Sequence, residues 1–117
     1  MIVVRINGKC NAKDKIGGWS AIVNGKELVG GAANTTHNRM ELTALIEAVK
    51  SVKPQREALH MQVVTKNNYI PNAFRSFKEY QKRNFVSRGG TKIANLDLWD
   101  KLIVEATKRN IILYSVN

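Results

Sequence analysis

Asn24-Gly25, lying between residues 18–23 (GWSAIV) and 26–33 (KELVGGAA), is the strongest single constraint on how this chain can fold. Both central residues of a type I′ turn need positive φ, which Asn and Gly tolerate best, and that turn matches the twist of two antiparallel strands. The flanking runs therefore predict a β-hairpin with a fixed register. Ahead of it, residues 1–6 (MIVVRI) form a β-branched run that reads as a buried strand, which Asn7-Gly8 is expected to break. The first third of the chain thus predicts a three-stranded antiparallel meander.

Periodicity then changes. In residues 34–49 (NTTHNRMELTALIEAV), Leu42, Leu45, Ile46 and Val49 fall at i, i+3, i+4 and i+7, so one apolar face of a helix should pack on the meander, and Pro54 lies just beyond its end. Residues 58–65 (ALHMQVVT) read as the next strand, ended by Lys66-Asn67-Asn68. A second helix is expected from about 69 to 84, with Ile70, Phe74, Phe77 and Gln81 on one side and Pro71 tolerable only in its first turn. Ser87-Arg88-Gly89-Gly90 reads as a loop. Asn95 is positioned to cap a third helix that offers Leu98, Leu102, Val104 and Ala106 for burial, and residues 111–116 (IILYSV) give a last strand. The order βββαβααβ predicts an α/β fold with a mixed sheet.

At 117 residues the chain suits one domain, 1–117, with its own core. No apolar run reaches the roughly 18 residues of a membrane span, and Met1-Ile2-Val3-Val4-Arg5 lacks a secretory n-region, so a cytoplasmic location and no membrane partner are expected. The single cysteine, Cys10, agrees with a reducing compartment. Charge is more telling: 19 Lys and Arg against 9 Asp and Glu leave a formal net of +10. Within 66–92, seven of those cations (Lys66, Arg75, Lys78, Lys82, Arg83, Arg88, Lys92) stand against Glu79 alone. Such a patch points to a polyanion, most simply nucleic acid, with a solvated face as the plainer alternative.

Several chemistries find no support in the residues. His37 and His60 with one cysteine make no zinc constellation, no phosphate loop of the P-loop kind is present, and nothing suggests a nucleophilic triad. Trp19, Trp99 and the methionines read as packing residues. Asn38-Arg39-Met40-Glu41 has the spacing of a helix capping box, which taken alone makes Glu41 a residue that tidies a helix start.

A family resemblance alters that weighting. Asn7-Gly8-Lys9, Gly17-Gly18, Thr36-His37-Asn38-Arg39-Met40-Glu41-Leu42, Thr65-Lys66-Asn67 and Asn95-Leu96-Asp97-Leu98-Trp99 occur in the order and spacing of the motifs of type 1 ribonuclease H, so that the chain resembles this family over nearly its whole length. The resemblance implies a mixed five-stranded sheet, three antiparallel strands with parallel additions, carrying helices. It also implies that the first helix starts near Thr36, which moves Glu41 into the second turn and aims it at the site. The segment Lys78 to Lys92 looks like the family's basic protrusion, which grips the DNA strand of a hybrid, with Tyr80 and Phe85 at its aromatic positions and Lys82, Arg83 and Arg88 among its cations. Cys10, Asn38 and Asn68 match positions that touch the hybrid's minor groove, with Thr36 and His37 beside them.

The family hydrolyses RNA with four carboxylates around two Mg2+ ions. By resemblance, Asn7 stands at the first acid, Glu41 at the second and Lys66 at the third, and the fourth belongs to a helix beyond Asn117. Asp14 is the nearest spare acid to the first position, but a loop suits a metal ligand poorly. These replacements lead to the expectation of a catalytically inactive protein, a pseudoenzyme with no metal and no cofactor that binds RNA/DNA hybrid or double-stranded RNA without cleaving it. Glu41 would either pair with Lys66 or accept a hydrogen bond from a ribose 2′-hydroxyl, while Lys66 reads as either a drifted surface residue or a stand-in for the metal charge. Two rivals stand beside this reading: a protein-interaction module acting as decoy, inhibitor or subunit with a protein partner or a second copy, and a nuclease that borrows acids from a partner.

Overall fold

The computed structural model describes residues 1–73 and 95–116. Its strands are β1 (Ile2–Cys10), β2 (Gly17–Val23), β3 (Lys26–Ala32), β4 (Leu59–Val64) and β5 (Ile111–Val116), and its helices α1 (His37–Lys50), α2, described over residues 69–73, and α3 (Leu96–Lys108). One five-stranded sheet runs in the order β3-β2-β1-β4-β5. The β1–β2 and β2–β3 pairs are antiparallel, and β4 and β5 add in parallel. This is the α/β architecture expected from the element order. The remainder of the second helical region, with Phe74, Phe77 and Gln81, and the loop at 87–90 lie outside the described residues.

The Asn24-Gly25 turn takes φ of 51° and 78°, as the primed hairpin turn requires, and sets Val23 opposite Lys26. Asn7-Gly8, by contrast, does not break the first strand, which continues to Cys10. The physical reason lies across the sheet. A Cβ on Gly8 would stand 2.5 Å from the Glu41 backbone nitrogen and 2.8 Å from the Met40 carbonyl carbon, so the glycine is there to let α1 approach the strand, not to turn the chain.

Alternation along β1 puts Val4, Ile6 and Gly8 on the α1 side and leaves Val3, Arg5, Asn7 and Lys9 exposed on the other. The helix supplies Leu42, Leu45, Ile46 and Val49 to the core, as its spacing predicts, and Leu42, Leu45 and Val49 are fully buried. Replacing Leu45 by Ala would cost about 2–5 kcal/mol through lost burial and the cavity left behind. In α3, Leu98, Trp99, Leu102 and Ala106 are buried, but Val104 is half exposed, so it does not join the core as its sequence position suggests. Both helices lie on one face of the sheet; the opposite face exposes Val3, Ile22, Val29, Ile112 and Tyr114. There His60 stacks on Tyr114 with ring centroids 5.3 Å apart, a surface role in line with its place on the strand.

Helix starts settle by side-chain chemistry. Thr36, not Asn38, is the N-cap of α1: its Oγ1 accepts from the Arg39 amide at 3.2 Å. Asn95 does occupy the N-cap position of α3, yet at φ 62° its side chain makes no capping bond. It is spent on tertiary contacts instead, with Nδ2 donating to the Tyr69 hydroxyl and Oδ1 accepting from Arg39. Among the described residues, no helix is long and apolar enough to cross a membrane.

Candidate functional site

With α1 starting at His37, Glu41 falls in its second turn and points down onto the sheet where β1 and β4 lie side by side. It is 2 % exposed. Thr65, just past β4, donates its hydroxyl hydrogen to Oε1 at 3.3 Å, and the carboxylate comes close enough to the Gly8 amide of β1 to feel its dipole. Among the described residues Oε2 has no hydrogen-bond partner. Burial pushes the carboxyl up to about 6, against the opposing pull of the Thr65 hydroxyl and the Gly8 amide. The capping-box role is thereby excluded, since the side chain reaches across to two strands.

A chain of polar contacts extends this point toward the start of α1. Asn67 donates its backbone N–H to Thr65 Oγ1 and its side-chain amide to Asn38 Oδ1 at 3.2 Å, while Asn67 Oδ1 accepts from the Tyr69 amide. The Tyr69 hydroxyl in turn accepts from Asn95 Nδ2 and Trp99 Nε1. Arg39 closes the circuit with a forked ion pair to Asp97, at 3.0 and 2.8 Å. Asp97 is held down to about 2 by those hydrogen bonds. Cys10 is tied to the approach loop, its Sγ contacting the Thr35 carbonyl oxygen at 3.3 Å. Thr36, His37 and Asn68 are exposed around this rim.

Asn7 and Lys66 stand elsewhere. Both are exposed and line a groove of about 450 Å3 on the sheet face away from α1, together with Arg5, Lys9, Ser20 and Ile22. Of the two tasks foreseen for Glu41, the ion pair with Lys66 is absent among the described residues, because the carboxyl is drawn to the helix side while the lysine turns to the groove. Sequence reasoning missed Thr65 and Asn67 as the residues that fix Glu41 and Asn38, and Arg5, Lys9 and Ser20 as groove residues. Alternation along β1 is the signal that would have found Arg5 and Lys9, which share the parity of Asn7. Lys78, Tyr80, Lys82, Arg83, Phe85, Arg88 and Lys92 lie outside the described residues.

A pair of hard dications would need several anionic oxygens. Among the described residues no group of three or more His, Cys, Asp or Glu is placed to hold a metal, and the only carboxylate at this point is Glu41. These donors alone do not fit a two-ion centre.

The model of the RNase H family matches residues 2–116. The chain belongs to the ribonuclease H family. It is 32 % identical over 115 residues to the ribonuclease H of Hahella chejuensis, a match covering 94 % of this chain and 76 % of that protein. Against the ribonuclease H of Rickettsia canadensis it is 30 % identical, over 95 % of this chain and 73 % of the relative, and against that of Cupriavidus pinatubonensis 34 %, over 86 % and 71 %. Among solved structures, a foamy viral protease-reverse transcriptase in complex with dsDNA shares the fold, with a TM-score of 0.72 over 99 % of this chain and 81 % of that one at 14 % identity.

These relatives overturn the expectation of an inactive pseudoenzyme. Ribonuclease H family members at this identity, matched through the Glu41 region and nearly the whole chain, are named as enzymes, and the replacements at Asn7 and Lys66 do not outweigh that. The inference of inactivity also leaned on the end of the chain at Asn117. About a quarter of each relative's length lies beyond the match, so the fourth acidic position bears on nothing here.

Proposed function

We propose that this chain is a nuclease of the ribonuclease H type, which hydrolyses RNA phosphodiesters within an RNA/DNA hybrid. The observation that carries the reading is Glu41: the family's acidic position is filled by a carboxylate held by Thr65 at the end of β4, with one oxygen unpartnered among the described residues and a pKa of about 6. A carboxyl titrating there is mostly ionised at neutral pH and can still exchange a proton readily. In the step proposed, a water oxygen bonds to phosphorus, the bond from phosphorus to the ribose oxygen breaks, Glu41 takes one proton from the water, and a proton returns to the leaving oxygen.

The remaining residues serve binding in this reading. Asn38, Cys10, Thr36, His37 and Asn68 ring the start of α1, where 2′-hydroxyls of an A-form minor groove would be read. The cations and aromatics from Lys78 to Lys92 would hold the DNA strand through its phosphates, in keeping with the net charge of +10. A cytoplasmic site of action accords with the lone Cys10 and belongs to the same proposal.

The test is a labelled RNA/DNA hybrid incubated with the pure protein in Mg2+, in Mn2+ and in EDTA. Cleavage confined to the RNA strand is the expected result, falling by about 100-fold or more in Glu41→Gln. An uncut substrate under both metals would overturn the proposal.

A further inference from the structure

We propose that Asn67 is a positioning residue, which locks the Asn38 amide with its N–H groups outward and so makes the rim at the start of α1 a donor-only reader of sugar 2′-oxygens. The Tyr69 backbone N–H can only donate, and it donates to Asn67 Oδ1 at 2.9 Å. That bond decides which end of the Asn67 amide faces which neighbour: Nδ2 is turned to Asn38 and donates to its Oδ1 at 3.2 Å. Asn38 therefore accepts from Asn67 through its oxygen, and its Nδ2, which has no partner among the described residues, is left for the rim. Turning either amide over would set N–H against N–H. The same residue orients the buried side of the site. Its backbone N–H donates to Thr65 Oγ1 at 3.1 Å, which leaves the one Thr65 hydroxyl hydrogen for Glu41 Oε1.

An amide fixed in this sense distinguishes sugars. A ribose 2′-oxygen offers lone pairs to a donor, whereas deoxyribose carries no oxygen there, so the hydrogen bond from Asn38 Nδ2 is made on an RNA strand and lost on a DNA strand. A free asparagine amide rotates and presents either end. Asn67 removes that freedom before substrate arrives, and Thr36 fixes the backbone turn on which Asn38 stands, so little ordering is left to binding. Asn67 acts through Asn38 and touches no substrate atom. The assignment deepens the nuclease reading and rests on it for the identity of the strand that Asn38 meets.

The experiment is fluorescence anisotropy of a labelled RNA/DNA hybrid and of double-stranded DNA of the same sequence, each titrated with the intact protein in Ca2+, with thermal melts to verify every variant's fold. The quantity read is the ratio of the two Kd values, DNA over hybrid, in which a change in overall charge cancels. Asn38→Ala and Asn67→Ala should each lower the ratio by about threefold to tenfold, the size of one lost neutral hydrogen bond. Asn67→Asp keeps the Tyr69 bond and the shape but offers Asn38 only oxygens, so the Asn38 amide turns its N–H groups inward and the ratio should fall at least as far. It carries the test if Asn67→Ala melts early. The double variant should discriminate no worse than Asn38→Ala alone, because Asn67 works only through that residue. A parent without preference for the hybrid, an unchanged ratio in Asn67→Asp, or effects that multiply in the double variant overturns the assignment. Cleavage is scored separately in Mg2+: a ratio that follows Asn67 in a protein that never cuts refutes only the nuclease reading, and a cutting protein whose ratio ignores Asn67 refutes only the positioning role.

Discussion

Thr65 donates its hydroxyl hydrogen to Glu41 Oε1 at 3.3 Å, a bond that joins the end of β4 to the second turn of α1 and is buried at both ends. Thr65→Val keeps the shape and removes the donor. The carboxyl then loses one of the two groups holding it down, so its pKa should rise above about 6, and stability should fall by about 1–3 kcal/mol near neutral pH for a buried acceptor left unpaired. Carboxyl NMR titration and urea melts check the two halves.

Stability should decline as pH rises through the range between the ordinary Glu value of 4.5 and about 6, on account of Glu41. Its folded pKa is raised, so in that window the folded state binds more protons than the unfolded one, and ionisation favours unfolding. A shift of this size corresponds to about 2 kcal/mol. Glu41→Gln removes the penalty: it should be as stable as the parent near pH 4 and more stable near pH 7.5. Equal melts of the two proteins at both pH values would count against a buried, ionising Glu41.

Arg39 and Asp97 hold the starts of α1 and α3 together through two parallel hydrogen bonds, with Asp97 well exposed. Exposure keeps the contribution small, so Asp97→Asn should change stability by less than about 1 kcal/mol. The pKa is the sharper readout. The Asp97 carboxyl should titrate near 2 in the parent and return toward 3.8 in Arg39→Gln.

Gly8→Ala should be among the most damaging single-methyl changes in the protein. Its Cβ would meet Met40 and Glu41 backbone at 2.8 and 2.5 Å, and backbone cannot rotate aside as a side chain can. Helix α1 must lift off β1, which should cost about 1–3 kcal/mol and weaken the pull of the Gly8 amide on the Glu41 carboxyl. A lowered melting temperature together with an upward shift of the Glu41 titration is the expected pair of results.

Much of the architecture was legible locally. Asn24-Gly25 fixed the hairpin because only residues tolerant of positive φ suit that turn, and the 3.6-residue stripe through Leu42, Leu45, Ile46 and Val49 marked the buried face of α1. The ordered motifs around Glu41 and Asn95 identified the family. Boundaries that depend on a neighbour were not legible: Asn7-Gly8 has turn composition, yet it continues a strand because α1 presses against Gly8.

The sequence by itself determined the order of elements, the hairpin register and which helical stripe would be buried, since these follow from local φ/ψ tolerance and hydrophobic period. Only the tertiary structure decided the electrostatics of the site. Glu41 and Lys66 are 25 residues apart and oppositely charged, so pairing them was reasonable on paper. The packing of α1 on one face of the sheet draws the carboxyl inward to Thr65 and Gly8 and leaves Lys66 with Arg5 and Lys9 on the other face. Which side of a sheet a group faces depends on strand register and helix placement together, and no local stretch of sequence contains both.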